Sequence, residues 1–167
     1  ITCTLTTRLK DHAKMSAQAA FRTKVLFDTN QLLQKAKSEE EIFSLTASQL
    51  MKLLNRSLIV YLEQNGGLGA EQVFGVDGET AQNIFSAPEE WDAANWTFAN
   101  KKRSGAGTDS YPDAKGLYLA LRTGGGVFGV IGIDLSEKPL DAFENSVLLS
   151  ILGEGALAIE NRRNALE

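Results

Sequence analysis

The chain has 167 residues, 43% of them hydrophobic and 23% charged, the size and make-up of one globular domain, which excludes disordered, collagen-like and disulfide-framework classes. Its longest run without a charged side chain, Thr123 to Ile133, is eleven residues, against the about 20 apolar residues of a membrane-spanning helix. The net charge of -4 is uneven: residues 1–37 carry seven basic side chains against Asp11 and Asp28, a net of +5, which leaves -9 on the rest of the chain.

From Thr4 to Lys37 there is neither Gly nor Pro, and Ala, Leu, Lys, Arg and Gln abound, so one long helix is predicted. Leu5, Leu9, His12, Ser16, Ala19, Thr23, Leu26, Asn30 and Leu33 alternate in steps of 4 and 3, a heptad seam weakened by polar members. A second stripe, Phe21, Val25 and Leu32, points to a helix that projects as an arm and then packs on a domain. Ser38 to Glu41 has the spacing of a capping box, and the helix it opens runs to about Leu54. Ser57 to Leu62 is a nearly continuous apolar run, predicted as a central strand, with the turn Asn65-Gly66-Gly67 and a returning strand at Gln72 to Val76.

Residues 78 to 109 are less regular, though Ser86-Ala87-Pro88-Glu89 marks a helix start with Pro in its first turn and Trp91, Ala94 and Phe98 on one face. Lys101 to Pro112 is polar and Gly-rich and is predicted as a loop. Leu117 to Leu121 and Val127 to Ile133 form a second hairpin across Thr123 to Gly126. From Pro139 onward a final helix carries Leu148, Leu152, Gly155, Ile159, Arg162 and Leu166 at heptad spacing. The order predicts an α+β fold with one antiparallel sheet and its helices gathered on one side.

Chemistry is sparse. Gly124, Gly126 and Gly129 spell a dinucleotide fingerprint, but a strand follows them where that site needs a helix, so they are a hairpin turn. His12 is the single histidine and Cys3 the single cysteine, which leaves no expected metal site, no internal disulfide and no catalytic triad in a pocket. A basic arm without aromatics in its first twenty positions, on an acidic body, does not suit nucleic acid. The aromatics instead gather mid-chain: Trp91, Trp96, Phe98, Tyr111 and Tyr118 lie near a polar loop with Thr108 and Asp109. These seven residues are the candidate lining of a small-molecule pocket, apolar area giving affinity and a few polar groups orientation. A structural role for the two Trp and a surface role for the loop stand as the alternative.

Asn95-Trp96-Thr97-Phe98, Gly105 to Pro112, Gly116 to Arg122 and Gly129-Val130-Ile131-Gly132 together resemble the GAF domain of KdpD-type sensor histidine kinases, membrane kinases of bacterial potassium and osmotic response. Ala120 stands where that family usually has Pro, and Tyr111 where it often has Leu. The resemblance implies a sheet of about six antiparallel strands flanked by helices, with a juxtamembrane signalling helix over 1–37, a GAF core over 38–138 and an output helix over 139–167. It implies a sensory domain on the cytoplasmic side of the inner membrane, with Ile1 to Leu5 leaving a membrane span and Arg8, Lys10 and Lys14 flanking it.

It further implies a homodimer through the long helices, a downstream kinase domain in the same chain, a response regulator as partner, and an unidentified small molecule or ion. The fragment itself is not expected to be an enzyme, because the phospho-acceptor His and the nucleotide boxes are missing from it. No cofactor is expected: a bilin-bearing GAF domain needs a cysteine inside the domain, and Cys3 lies outside it. The same scarcity of cysteine excludes the methionine sulfoxide reductases built on this fold. A ligand-free dimerisation and spacer module is the competing reading.

Overall fold

The computed structural model describes residues 2–166, with the side chains at 2–8, 11 and 166 outside the description. Expectations that rest on Ile1, Cys3, Leu5, Arg8 and Leu166 therefore fall outside the described residues. Five helices and five strands follow one another as α1 (Thr2–Gln34), α2 (Glu39–Leu54), β1 (Leu58–Gln64), β2 (Gly67–Phe74), α3 (Gly78–Phe85), α4 (Pro88–Asn100), β3 (Ser104–Gly105), β4 (Gly116–Thr123), β5 (Gly126–Asp134) and α5 (Ala142–Leu166).

Local chemistry sets these boundaries. Ser38 caps α2 by accepting from the Glu41 amide at 3.1 Å, while the Glu41 carboxylate reaches back to the amide of Lys37, one residue beyond the cap, at 2.9 Å. Asn55 ends the helix in the left-handed conformation, with φ of 53°. The β1–β2 turn uses Asn65 and Gly66 at positive φ, as a tight hairpin between twisted strands requires. Pro88 opens α4 at its first position, where its missing N–H costs no bond. Helix α3 was not legible as a separate element.

The strands form one antiparallel sheet in the order β2-β1-β5-β4-β3. It has five strands rather than about six, and β3 is only two residues long. The chain beyond it satisfies its backbone locally, with Gly105 N–H donating to Ser110 O and the Thr108 hydroxyl donating to the carbonyls of Gly105 and Ser110. The helices also occupy both faces rather than one. On the first face α1, α2 and α5 bury Leu58, Val60, Leu119, Leu121, Ile131 and Ile133 with Phe43, Leu50, Leu148, Ile151 and Ile159. On the second face α3 and α4 cover Ile59, Tyr61, Tyr118 and Val130.

Strand β5 serves both faces, and its two glycines show how. A Cβ at Gly129 would strike the carbonyl oxygen of Tyr61 on β1 and lie 2.8 Å from the Phe43 ring. A Cβ at Gly132 would strike the Tyr118 ring on the other face. The Gly-Val-Ile-Gly run is thus a packing motif that admits one ring on each side of the central strand.

Helix α5 is long and apolar enough to cross a membrane by length and composition, with a mean hydropathy of 1.3 over its most apolar window. In the fold its apolar face, Val147, Leu148, Ile151, Leu152, Ala156 and Ile159, is buried in the domain core.

Candidate functional site

The seven predicted pocket residues lie on α4 (Trp91, Trp96, Phe98), in the loop between β3 and β4 (Thr108, Asp109, Tyr111) and on β4 (Tyr118). Tyr118 is fully buried on the second face of the sheet, Trp91 is 43% exposed at the edge of α4, and Trp96 and Phe98 are half-buried on the same helix. Asp109 and Tyr111 are exposed, and Tyr111 takes a positive φ of 57°. Trp91 meets Tyr61 edge-on, with ring centroids 5.3 Å apart. Thr108 lines a depression of about 420 Å³ whose other walls include Arg103, Leu117, Leu140 and Asn145, with none of the five aromatics among them.

The fully buried face of α4 that meets the sheet is Glu90, Ala93, Ala94 and Thr97, with only Ala94 of the predicted Trp91 stripe among them. Small residues let the helix approach closely, and Glu90 spans the remaining gap. Glu90 is 2% exposed, and its carboxylate accepts from the amides of Lys115 (3.0 Å) and Gly116 (2.9 Å) and from the Tyr118 hydroxyl (2.8 Å). Nearby, the hydroxyls of Thr97 and Ser104 lie 2.7 Å apart, and Ser104 donates to Ala93 O. Every buried side-chain nitrogen or oxygen among the described residues has a partner. Sequence reasoning passed over Glu90; the available signal was a carboxylate spaced three, four and seven residues before Ala93, Ala94 and Thr97, on the small-residue face of an amphipathic helix.

Burial, and then the Glu90 carboxylate, push the Tyr118 phenol far above its ordinary value, and burial followed by Glu71 and Glu90 does the same for Tyr61. A phenol that holds its proton more tightly when folded stabilises the fold below the unfolded value of 10.0 and loses that contribution as pH rises above it. Stability should therefore fall above pH 10 with a slope that includes two protons, about 2.7 kcal/mol per pH unit. Urea titrations between pH 8 and 11 check this, and Tyr118→Phe should remove one proton from the slope.

The second candidate is the helical layer. Arg22 donates to Ser146 Oγ at 2.7 Å, Asn30 Nδ2 to Glu154 Oε2 at 3.0 Å, and Arg162 to Lys37 O. The two pairs between α1 and α5 share a sequence offset of 124, so the helices run parallel in constant register, and the Arg162–Lys37 pair continues it just past the end of α1 at 125. At that offset the start of α5 lies level with residue 18, and the earlier part of α1 overhangs by roughly 24 Å. At the other end α5 runs on past α1, held by Arg163 to Glu39 at 2.6 Å. The chain enters at one end of this layer and leaves at the other.

The α5 seam is spent inside the chain, whereas the α1 seam is buried only near its end, with Leu9, His12, Ser16, Ala19 and Thr23 exposed. Leu148, Leu152, Gly155 and Ile159 are buried, a Cβ at Gly155 would lie 2.7 Å from Thr46 Oγ1 on α2, and Leu33 is core. Asn30 has Glu154 and Gln34 as partners within the chain. The exposed apolar side chains of the two helices include the seam residue Leu9 and, off the seams, Phe27, Leu149 and Leu157. The structure also draws out Arg56, which sequence reasoning missed. It is 6% exposed, forms an ion pair with Glu144 at 3.0 Å, and donates to the carbonyls of Asp134, Lys138 and Pro139. No local pattern announces an arginine whose partners lie about eighty residues away.

A sheet of this topology with three helices on one face and two on the other is the GAF fold. No family model matches the chain. Among curated proteins it is 31% identical over 157 residues to the sensor protein KdpD of Clostridium acetobutylicum, an alignment that covers 93% of this chain and 17% of that one. The GAF domain of the potassium sensor histidine kinase KdpD from Escherichia coli superposes with a TM-score of 0.64 at 19% identity, over 87% of this chain and 99% of that one. The GAF domain of an Acinetobacter phosphoenolpyruvate-protein phosphotransferase gives 0.59 at 12% identity, over 86% and 95%. These two structures bear on the fold alone; the sequence relationship is a similarity of nearly the whole chain to a stretch of a KdpD sensor protein.

Proposed function

We propose that this domain is the regulatory module of a membrane sensor histidine kinase of the KdpD type, modulating kinase output in potassium or osmotic response. The chain spans 17% of the length of the curated relative it matches, so the kinase domain and its response regulator belong to this proposal. The observation that carries it is the parallel register of α1 and α5, which gives a displacement of the entering helix a direct route to the leaving one. Arg8, Lys10 and Lys14 on the overhang suit the cytoplasmic flank of a preceding membrane span. In the parent protein two copies would pair in parallel through the outward sides of these helices, where Phe27 is 63% exposed.

Output should then depend on the rotational phase of α5. In the full-length kinase, two residues inserted after Glu167 turn the following helix by about 200°, whereas seven return it to within about 20° of its phase. The first should change autophosphorylation by about tenfold or more and the second by about twofold or less. Equal rates in both insertions and wild type would overturn the proposal.

The spacer reading, with no ligand, has a specific observation in its favour: the buried Tyr61, Ala93, Ala94, Tyr118 and Val130 fill the space between α4 and the sheet. Trp91, Trp96, Phe98, Thr108, Asp109, Tyr111 and Tyr118 remain the proposed lining for a small molecule or ion in the ligand-bound version. A retained small molecule in native mass spectrometry would decide for the latter.

A further inference from the structure

The first turn of α5 receives four successive contacts from three other parts of the fold. The ring of Phe143 packs at 6.3 Å from that of Phe21 on α1. Glu144 binds Arg56 from the α2–β1 junction, Asn145 Oδ1 accepts from Arg103 beside β3 at 3.2 Å, and Ser146 accepts from Arg22 on α1. Glu144 is also the reciprocal cap of the helix, its amide bonded to Asp141 Oδ1 at 2.7 Å and its Oε1 accepting from the Asp141 amide at 3.2 Å.

Three guanidinium groups thus converge on a helix N-terminus, the positive end of the helix dipole, where cations are disfavoured. Helix stability alone would select against that arrangement. Position explains it better, since each arginine ties this turn to a different element: α1, the end of α2, and the end of α4. From this we infer that Phe143–Ser146 is the junction at which the domain sets the orientation of α5, with Arg56 as its positioning residue. The inference rests on the reading of α5 as the output helix only for its consequence in a kinase; the junction itself is a property of this chain.

Hydrogen exchange on the purified chain tests it without a kinase. Arg22 and Arg103 bond adjacent residues of α5 and share no bond with each other. If the turn is one unit, Arg22→Ala and Arg103→Ala should each speed exchange of the amides at 143–148 several-fold, while the double variant falls short of the product of the two. Arg56→Lys keeps the charge but loses the fork, and should speed exchange there about tenfold while the amides of β1, β4 and β5 keep their protection. An exact product in the double variant, or acceleration spread over the whole sheet in Arg56→Lys, would overturn the junction. Should Arg56→Lys not fold, the Arg22 and Arg103 variants decide alone. In the full-length kinase, phase-dependent output together with no effect of Arg103→Ala or Arg22→Ala would overturn the junction's role and leave the proposed function standing.

Discussion

Gly129→Ala should cost the domain about 3 kcal/mol, lowering its midpoint of thermal unfolding by about 10 °C, although it adds a single methyl group. The added carbon would meet the Tyr61 carbonyl on the neighbouring strand and the Phe43 ring of the core, and neither can withdraw without parting β1 from β5 or lifting α2. The same substitution at Gly153 should have the opposite sign. That glycine lies on the exposed side of α5 with nothing within 4 Å of an added Cβ, so alanine there should stabilise by about 0.5–1 kcal/mol through helix propensity. Thermal denaturation of the two variants side by side separates crowding from propensity. Equal shifts would contradict the packing described for β5.

Glu90→Leu should be the most damaging change on the second face, at about 4 kcal/mol. Leucine nearly preserves the volume but leaves the amides of Lys115 and Gly116 and the Tyr118 hydroxyl with no acceptor. Glu90→Gln should cost about 2 kcal/mol, since its amide keeps one oxygen but turns a donor toward other donors. The pair term can be isolated: Tyr118→Phe should destabilise the wild type by about 1 kcal/mol yet be neutral or stabilising beside Glu90→Leu, where the stranded hydroxyl is removed. Urea unfolding of the four proteins closes that cycle. Identical effects of Tyr118→Phe in both backgrounds would mean that the phenol and the carboxylate do not act together.

The architecture was largely legible in the residues, and the reasons are local. Ser38 and Glu41, Asn65 and Gly66, Pro88 and the glycines from 124 to 126 each encode a backbone conformation with their nearest neighbours, and each marks the element boundary that was expected. Periodicity found the stripe Leu148, Leu152, Gly155 and Ile159 but not its partner, because a heptad repeat records only that one face is covered. Here the cover is α2 and the chain's own sheet rather than a second copy. The candidate site was harder. The aromatics stand out in the sequence, whereas Glu90 does not, although the 3.6-residue period of α4 turns Glu90, Ala93, Ala94 and Thr97 toward the sheet with Trp91 partly exposed at its rim. Arg56 depends on contacts across the whole domain, which no short-range pattern can carry.

The constant register of α1 and α5 also bears on how such domains combine. Chain termini of a domain usually lie close together, which suits insertion into a host loop. Here the helix axes carry the two ends to opposite poles, about 60 Å apart along the layer if both helices stay straight. Splicing such a unit into a loop would tear the host open. Placed end to end it behaves as a segment of a rod, and repeated copies could be coupled in series with no reversal of the chain between them.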